Sequence, residues 1–175
     1  MDNKFYIFLD FDGVFNYYSY VTEMQKQNKY DELALYVCPD NIRVFNKILN
    51  EIKSYGLAPK IVISSNRKYN EYNEVTNKLI ESGIDYKGSF DRTQPTSIGE
   101  KKPKLEIGRY LTLHNIENNY VIIDDILEDL RRYVPKENLL ETSGLSGTGL
   151  NEKNFETFKE NLKKLVPTLD LSNEK

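Results

Sequence analysis

Residues 4–16, KFYIFLDFDGVFN, combine an apolar run with two closely spaced carboxylates and a glycine. The apolar residues 5–9 are mostly aromatic or β-branched, which is typical of a buried strand. Asp10 and Asp12 follow this strand, and Gly13 permits a sharp turn of the backbone. Asp and Gly also form ordinary turns, but two carboxylates held this close at a strand end favour a site for a cation or for phosphate chemistry.

The 175 residues are 39% hydrophobic and 29% charged, which predicts one globular domain with a sizeable core. We expect this domain to span residues 1–167 and a C-terminal tail to follow at 168–175. No apolar run reaches the roughly 20 residues of a membrane span, and the N-terminus lacks the features of a signal peptide. Cys38 is the only cysteine, which predicts no disulfide, no cysteine-based zinc site and a cytoplasmic location.

The net charge of −3 argues against a broad surface that coats nucleic acid, although it leaves room for a local basic groove. The 13 tyrosines can stack on bases, but we interpret most of them as residues at the edge of the core. His114 is the only histidine, and no acid or nucleophile motif accompanies it. We therefore expect a structural or surface role for His114.

Apolar runs alternate with segments of helical spacing along the whole chain. The predicted strands lie at residues 5–9, 60–63, 84–90, 120–123 and 139–142. The predicted helices lie at residues 40–55, 69–82, 103–111, 127–133 and 152–166. This alternation predicts an α/β fold, a Rossmann-like three-layer α/β/α domain whose sheet is mainly parallel. Residues 17–37 fit neither pattern cleanly, and we interpret them as a small flap or insertion over the strand ends.

Polar residues follow three of the predicted strands: Asp10 and Asp12, then Ser64 and Ser65, then Asp124 and Asp125. The carboxyl ends of parallel strands form one edge of the sheet, where ligands bind in open α/β folds. These side chains should therefore gather in one crevice. Carboxylates, hydroxyls and a nearby lysine suit a divalent metal that holds a phosphoryl group.

The chemistry of phosphoryl transfer suggests a role for each acidic residue. Asp10 would attack phosphorus and form an aspartyl-phosphate, with its second oxygen on the metal. Mg²⁺ would offset the repulsion between this carboxylate and the phosphate, and Asp124 or Asp125 would complete the metal site. Asp12 would protonate the leaving group and then activate water, which requires a raised pKa.

Hydroxyl and ammonium groups would hold the phosphoryl group itself. Ser64, with Ser65 beside it, would donate hydrogen bonds to phosphoryl oxygens. Lys102 would neutralise charge in the transition state, and Lys101 and Lys104 are close alternatives. Taken singly, these residues also fit turns, a helix cap or a solvated pair of lysines.

The order of these motifs resembles that of the haloacid dehalogenase-like (HAD) phosphohydrolase superfamily. LDFDGV resembles the first motif, IVISS the second and VIIDD the fourth, and Lys102 is the best match to the lysine of the third. The resemblance implies a sheet of about five strands in the order 5-4-1-2-3, Mg²⁺ as cofactor, and metal ligation by the backbone carbonyl of Asp12.

The chain is most similar to the small HAD domains of the Swiss Army Knife RNA-repair type. Those domains carry a Ser-Ser-x-Trp-Arg segment, a basic residue before Glu-Ile, an Asp-Asp strand end and a late Gly-Leu-Thr. The equivalents here are residues 64–68, Lys102 with 106–107, 124–125 and 149–151. Arg67 replaces the tryptophan and Asn151 the threonine, which leaves the chemistry intact and weakens any inference about substrate.

Members of the wider superfamily select substrates with a cap domain, and this chain has room only for a minimal flap. An almost capless enzyme with an open crevice would accept a phosphate on a nucleotide, a nucleic-acid end or a phosphoprotein. A monomer is compatible with the sequence, and we expect no membrane partner.

Three functions other than phosphatase activity are compatible with parts of the sequence. A dehalogenase needs neither an acid at Asp12 nor a metal, so Asp12 favours the phosphatase. A phosphorylation-receiver domain carries its reactive aspartate after the third strand, whereas the acid pair comes last here. A catalytically silent HAD-fold module that binds a phosphorylated partner remains the main alternative.

Overall fold

A computed structural model describes residues 3–95 and 103–171 of the chain. Five strands form one sheet: β1 (Lys4–Leu9), β2 (Ala58–Ile63), β3 (Asp91–Arg92), β4 (Tyr120–Asp124) and β5 (Leu139–Glu141). All four pairings between neighbouring strands are parallel, and the order across the sheet is β3-β2-β1-β4-β5. This is the expected order 5-4-1-2-3 read from the other edge, so the predicted Rossmann-like topology is confirmed.

The described residues contain five α-helices, four of which lie between strands while the last follows β5. They are α1 (Tyr18–Lys26), α2 (Pro39–Ser54), α3 (Tyr72–Glu81), α4 (Pro103–Leu113) and α5 (Glu152–Leu171). Two short 3₁₀ helices lie at Asn66–Tyr69 and Lys136–Asn138. Within the described ranges, no helix combines the length and the apolar content that crossing a membrane requires.

Alternate residues of β1 face the two helical layers, because successive side chains of a strand point to opposite faces of the sheet. Phe5, Ile7 and Leu9 join a core cluster that includes the apolar faces of α2, α3 and α5. Phe8 joins a second cluster with α4 and the turns after β4. Burial on both faces explains why β1 and β4 read as continuous apolar runs.

The third strand and the fourth predicted helix differ from expectation. The pairing with β2 involves only Asp91 and Arg92, so the prediction of a strand at 84–90 is wrong. Gly88 interrupts that segment, and glycine is disfavoured within strands. Residues 127–133 form two successive turns rather than a helix: the Leu127 carbonyl accepts bonds from the amides of residues 130 and 131, and the Leu130 carbonyl from those of 133 and 134.

The ends of two other helices also differ from the sequence interpretation. Helix α3 begins at Tyr72 rather than at the predicted residue 69. Residues 66–69 form the first 3₁₀ turn instead, in which Lys68 turns inward and bonds to the carbonyls of Ser64 and Ser65. Helix α5 continues to Leu171, so the predicted domain boundary at 167 lies within it. Proline is disfavoured inside a helix because it lacks one hydrogen bond and crowds the preceding turn, but α5 continues past Pro167.

Candidate active site at the sheet edge

The register of the sheet brings the ends of β1, β2 and β4 to one level. Leu9 lies opposite Ile63 on one side and Ile123 on the other. The amide of Asp10 donates to the Ile123 carbonyl at 3.0 Å, and the amide of Ser64 donates to the Leu9 carbonyl at 2.9 Å. The polar residues that follow these strands therefore lie at the same edge, as the sequence predicted.

Three carboxylates converge at this edge. One oxygen each from Asp10, Asp124 and Asp125 lies within 4.8 Å of the other two. Gly13 passes beside Asp125 with a φ of 74°, and a Cβ atom at this position would lie 2.2 Å from Asp125 Oδ2. Glycine is therefore required both by the backbone conformation and by the close approach of the carboxylate.

The cluster is electrostatically costly. Burial, followed by the charge of Asp124, raises the pKa of Asp10 to about 7, although hydrogen bonds from Ser65 and from the Phe11 amide oppose the shift. Burial and Asp124 also raise the pKa of Asp125. A hard divalent cation would remove this repulsion, and three carboxylates supply the oxygen ligands that such an ion prefers. The donor set therefore fits Mg²⁺.

Asp12 lies in a different set of contacts from the three clustered carboxylates. Arg67 donates to both of its oxygens, from Nε to Oδ2 at 2.6 Å and from Nη2 to Oδ1 at 3.0 Å. Asn16 Nδ2 donates to Oδ1 at 2.9 Å. This two-point ion pair fixes the orientation of the Asp12 carboxylate.

Arg67 also connects Asp12 to neighbouring elements. Its Nη1 donates to the Leu33 carbonyl, in the predicted flap, and to Glu71 Oε2, both at 2.8 Å. Sequence reasoning noted Arg67 only as a departure from the tryptophan of the similar domains. Its contact with Asp12 depends on the tertiary fold, and no local sequence pattern signals it.

The two serines after β2 occupy different environments. Ser65 hydrogen-bonds Asp10, and its Oγ accepts a bond from the Arg67 amide at 3.4 Å. Ser64 is buried, and its Oγ has no hydrogen-bond partner in the described part of the chain. Ser65 therefore stands beside the Asp10 carboxylate, and Ser64 holds an unsatisfied hydroxyl one residue away.

The three candidate lysines of the third motif divide into two groups. Lys101 and Lys102 lie outside the described residues. Lys104, in the first turn of α4, forms a close ion pair with Asp124 Oδ2. Asp124 Oδ1 accepts a bond from the Ile126 amide at 2.8 Å, so both of its oxygens are engaged. Among the described residues, Lys104 is the predicted lysine that reaches the acidic cluster.

A lysine that the sequence did not single out lies beneath the site. Lys68 is 1% exposed, and its Nζ donates to the carbonyls of Ser64 and Ser65 at 3.2 Å each. It pairs with Glu106 Oε2 at 3.0 Å, and burial lowers the pKa of Lys68. This buried ion pair joins the end of β2 to α4. In the sequence, adjacent Arg67 and Lys68 are typical of a basic surface, and the neighbouring residues give no pattern that predicts burial of the Lys68 side chain.

Comparison with protein families matches residues 6–155 to a model described as the HAD domain in Swiss Army Knife RNA repair proteins. The match covers most of the chain and all of the described strands except the first residues of β1. No curated protein and no solved structure matches the chain.

The buried Lys68–Glu106 pair generates the first prediction. Glu106→Gln leaves the Lys68 ammonium without a counter-charge, and we expect a loss of about 3–5 kcal/mol in the free energy of unfolding. Urea denaturation measures this loss. Glu160→Gln, which removes an exposed partner of Lys163, is the matched control and should cause no measurable change. Equal stability of Glu106→Gln and the parent protein would contradict the role of the pair.

The raised pKa of Asp10 predicts a pH-dependent effect of Asp10→Asn in metal-free protein. The folded state keeps a proton on Asp10 up to about pH 7, whereas the unfolded chain loses it near the ordinary aspartate pKa of 3.8. Stability from this group is therefore present below the lower value and lost as pH rises through 7. Asp10→Asn should stabilise the protein by about 1–3 kcal/mol at pH 8 and by little at pH 4.

Thermal and urea unfolding in a chelating buffer, compared at pH 4 and pH 8, measure this difference. Asp85→Asn, at an exposed ion pair with Lys53, serves as the control. An Asp10→Asn effect that is the same at both pH values would show that Asp10 titrates normally.

Proposed function

Because the chain belongs to the family of HAD domains in Swiss Army Knife RNA repair proteins, we propose that it is a Mg²⁺-dependent phosphatase that forms an aspartyl-phosphate on Asp10. Family membership indicates a phosphohydrolase-type domain. The observation that carries the finer proposal is the convergence of Asp10, Asp124 and Asp125, whose carboxylate oxygens lie within 4.8 Å of one another. Mutually repelling carboxylates of this kind are typical of sites that bind a cation together with an anionic substrate.

Asp10, Asp124 and Asp125 would hold the metal through carboxylate oxygens. When bound, Mg²⁺ supplies positive charge that offsets the repulsion between an anionic nucleophile and an anionic phosphate. Asp10 would be the nucleophile, and the hydrogen bonds that its carboxylate receives from the Phe11 amide and Ser65 support this role by fixing its orientation. In the first step an Asp10 oxygen forms a bond to phosphorus, and the bond from phosphorus to the leaving oxygen breaks.

Asp12 would handle the protons of both steps. It gives a proton to the leaving oxygen in the first step and takes one from the attacking water in the second. The water oxygen bonds to phosphorus, the bond from phosphorus to Asp10 breaks, and inorganic phosphate leaves. Arg67 holds the carboxylate of Asp12 by both oxygens and fixes its orientation for both proton transfers.

Charge on the phosphoryl oxygens would be balanced by nearby donors. Ser65 stands beside Asp10, and the unsatisfied hydroxyl of Ser64 offers a further donor. Lys104 already reaches Asp124 and would contribute a positive charge at the edge of the cluster. Lys102 is also proposed as a site lysine, and the support for it is its match to the third motif of the HAD superfamily.

We propose a phosphate on a nucleotide or at a polynucleotide end as the substrate. The printed description of the family concerns RNA repair, and the segment between β1 and α2 contains one helix of nine residues, α1, with no buried side chain. A segment this small leaves the edge of the sheet open to a large substrate. A phosphoprotein would also fit an open edge.

The test of this function is phosphate release with and without Mg²⁺ from a panel of substrates. The panel contains an aryl phosphate, nucleoside monophosphates, and oligonucleotides with 3′- or 5′-phosphates. We expect metal-dependent release that is greatest for nucleotide or oligonucleotide phosphates and that Asp10→Asn abolishes without loss of folding. Normal turnover by Asp10→Asn would contradict the mechanism, and Mg²⁺ binding without release from any substrate would favour a silent binding module.

The role of Asp12 predicts a dependence on the leaving group. Asp12→Asn should lower turnover of an alkyl phosphate by about 10²–10⁴-fold, because the leaving alkoxide then receives no proton. An aryl phosphate has an acidic leaving group, so its first step should continue and give a burst of one phenol per enzyme before the second step stalls. Stopped-flow absorbance measures the burst. The same loss on both substrates with no burst would exclude this assignment.

A further inference from the structure

A groove of about 760 Å³ lies between α4 and the turns at residues 128–134. Lys104, Gly108 and Leu111 line it from α4, and their spacing places them on one face of the helix. Arg132 and Tyr133 line it from the opposite side. The volume is in the range of sites that bind small molecules.

One residue links the groove to the acidic cluster. Lys104 lines the groove and also forms the ion pair with Asp124, whose carboxylate clusters with Asp10. From Lys104 to Leu111 the groove follows α4 for about 10 Å, at the helical rise of 1.5 Å per residue. A molecule whose phosphate lies at Asp10 can therefore extend past Lys104 into this space.

Gly108 keeps the groove open. It lies in the interior of α4, and a Cβ atom at this position would meet nothing within 4 Å. Its φ is not in the left-handed region, so neither the backbone conformation nor packing requires glycine here. Glycine weakens a helix relative to alanine. The helix thus carries an unfavourable residue where a side chain would project into the groove.

The lining of the groove suits a flat aromatic ring. Leu111, Leu130 and Val134 give it apolar walls. Tyr133 is 82% exposed, and neither its hydroxyl nor the Arg132 guanidinium has a bonding partner within the described ranges. A phenol ring and a guanidinium plane are the surfaces on which nucleobases stack.

The charges of the groove favour a base over a phosphodiester backbone. Glu128 and Asp129 line it together with Lys104 and Arg132, so the two signs are balanced. A binding surface for several phosphates would be dominated by lysine and arginine. Carboxylates instead accept hydrogen bonds from the amino groups of bases.

We propose that this groove binds the nucleobase of the nucleotide whose phosphate reacts at Asp10. The inference rests on the proposed function, and it identifies a nucleotide, either free or at the end of a polynucleotide, as the substrate. Arg132 and Tyr133 hold the base, and Lys104 lies between the base and the acidic cluster.

The test fills the groove without touching the reacting groups. Gly108→Leu places an apolar side chain in the open space, and Thr157→Leu adds an apolar side chain at an exposed position of α5, away from the groove, as a control. Each is assayed with adenosine 5′-monophosphate and with acetyl phosphate, which has no ring. Tyr133→Ala, at an exposed position, removes a stacking surface with no effect on folding.

We expect Gly108→Leu and Tyr133→Ala to raise KM for adenosine 5′-monophosphate, by about 5- to 150-fold for the loss of one stacking contact. The acetyl phosphate kinetics of both variants, and all kinetics of Thr157→Leu, should match those of the parent protein. Unchanged KM for the nucleotide in both groove variants would overturn the proposal, and so would an equal loss on both substrates in folded protein.

A binding measurement separates this proposal from the proposed function. Stacking quenches the fluorescence of 2-aminopurine riboside, which carries no phosphate. Quenching by the parent protein that Gly108→Leu abolishes and Thr157→Leu retains supports the groove even if no substrate is hydrolysed. An absence of quenching by the parent protein at millimolar riboside would overturn the groove even if phosphatase activity is found.

Discussion

Repulsion among the carboxylates of Asp10, Asp124 and Asp125 is the constraint on which the rest of the site depends. The parallel register of β1 and β4 brings Asp10 and Asp124 together, because Asp10 follows β1 at the level where Asp124 ends β4. Gly13 lets the chain turn close to Asp125. The fold thus holds together charges that would otherwise separate, and the raised pKa of Asp10 is the physical consequence.

Positive charge near this cluster is divided among three ion pairs, of which one involves a clustered carboxylate. Lys104 pairs with Asp124, Arg67 with Asp12, and the buried Lys68 with Glu106. Asp10 and Asp125 are partners in none of these three pairs. The cluster therefore retains its capacity for an external cation, and the ion pairs fix the positions of the residues around it.

Apolar runs that end in polar residues predicted the position of the acidic edge, whereas the sheet order was implied by the resemblance to the HAD superfamily. Lys68 and Arg67 were not predicted as site residues, since their partners Glu106 and Asp12 are distant in the chain and only the fold brings them close. The third strand was misplaced because pairing with β2, rather than local apolar character, determines its position. At residues 127–133, apolar residues with helical spacing are buried in the core by turns rather than by a helix. Their periodicity therefore predicted a helix that does not form.

The central claim is that phosphate is transferred to Asp10. The most direct test is a rapid quench during turnover of a ³²P-labelled substrate in the presence of Mg²⁺, followed by peptide mapping. We predict a hydroxylamine-sensitive phosphate on the peptide that contains Asp10, which disappears when substrate is exhausted. Substrate hydrolysis with no label on this peptide, or with the label on another residue, would contradict the mechanism.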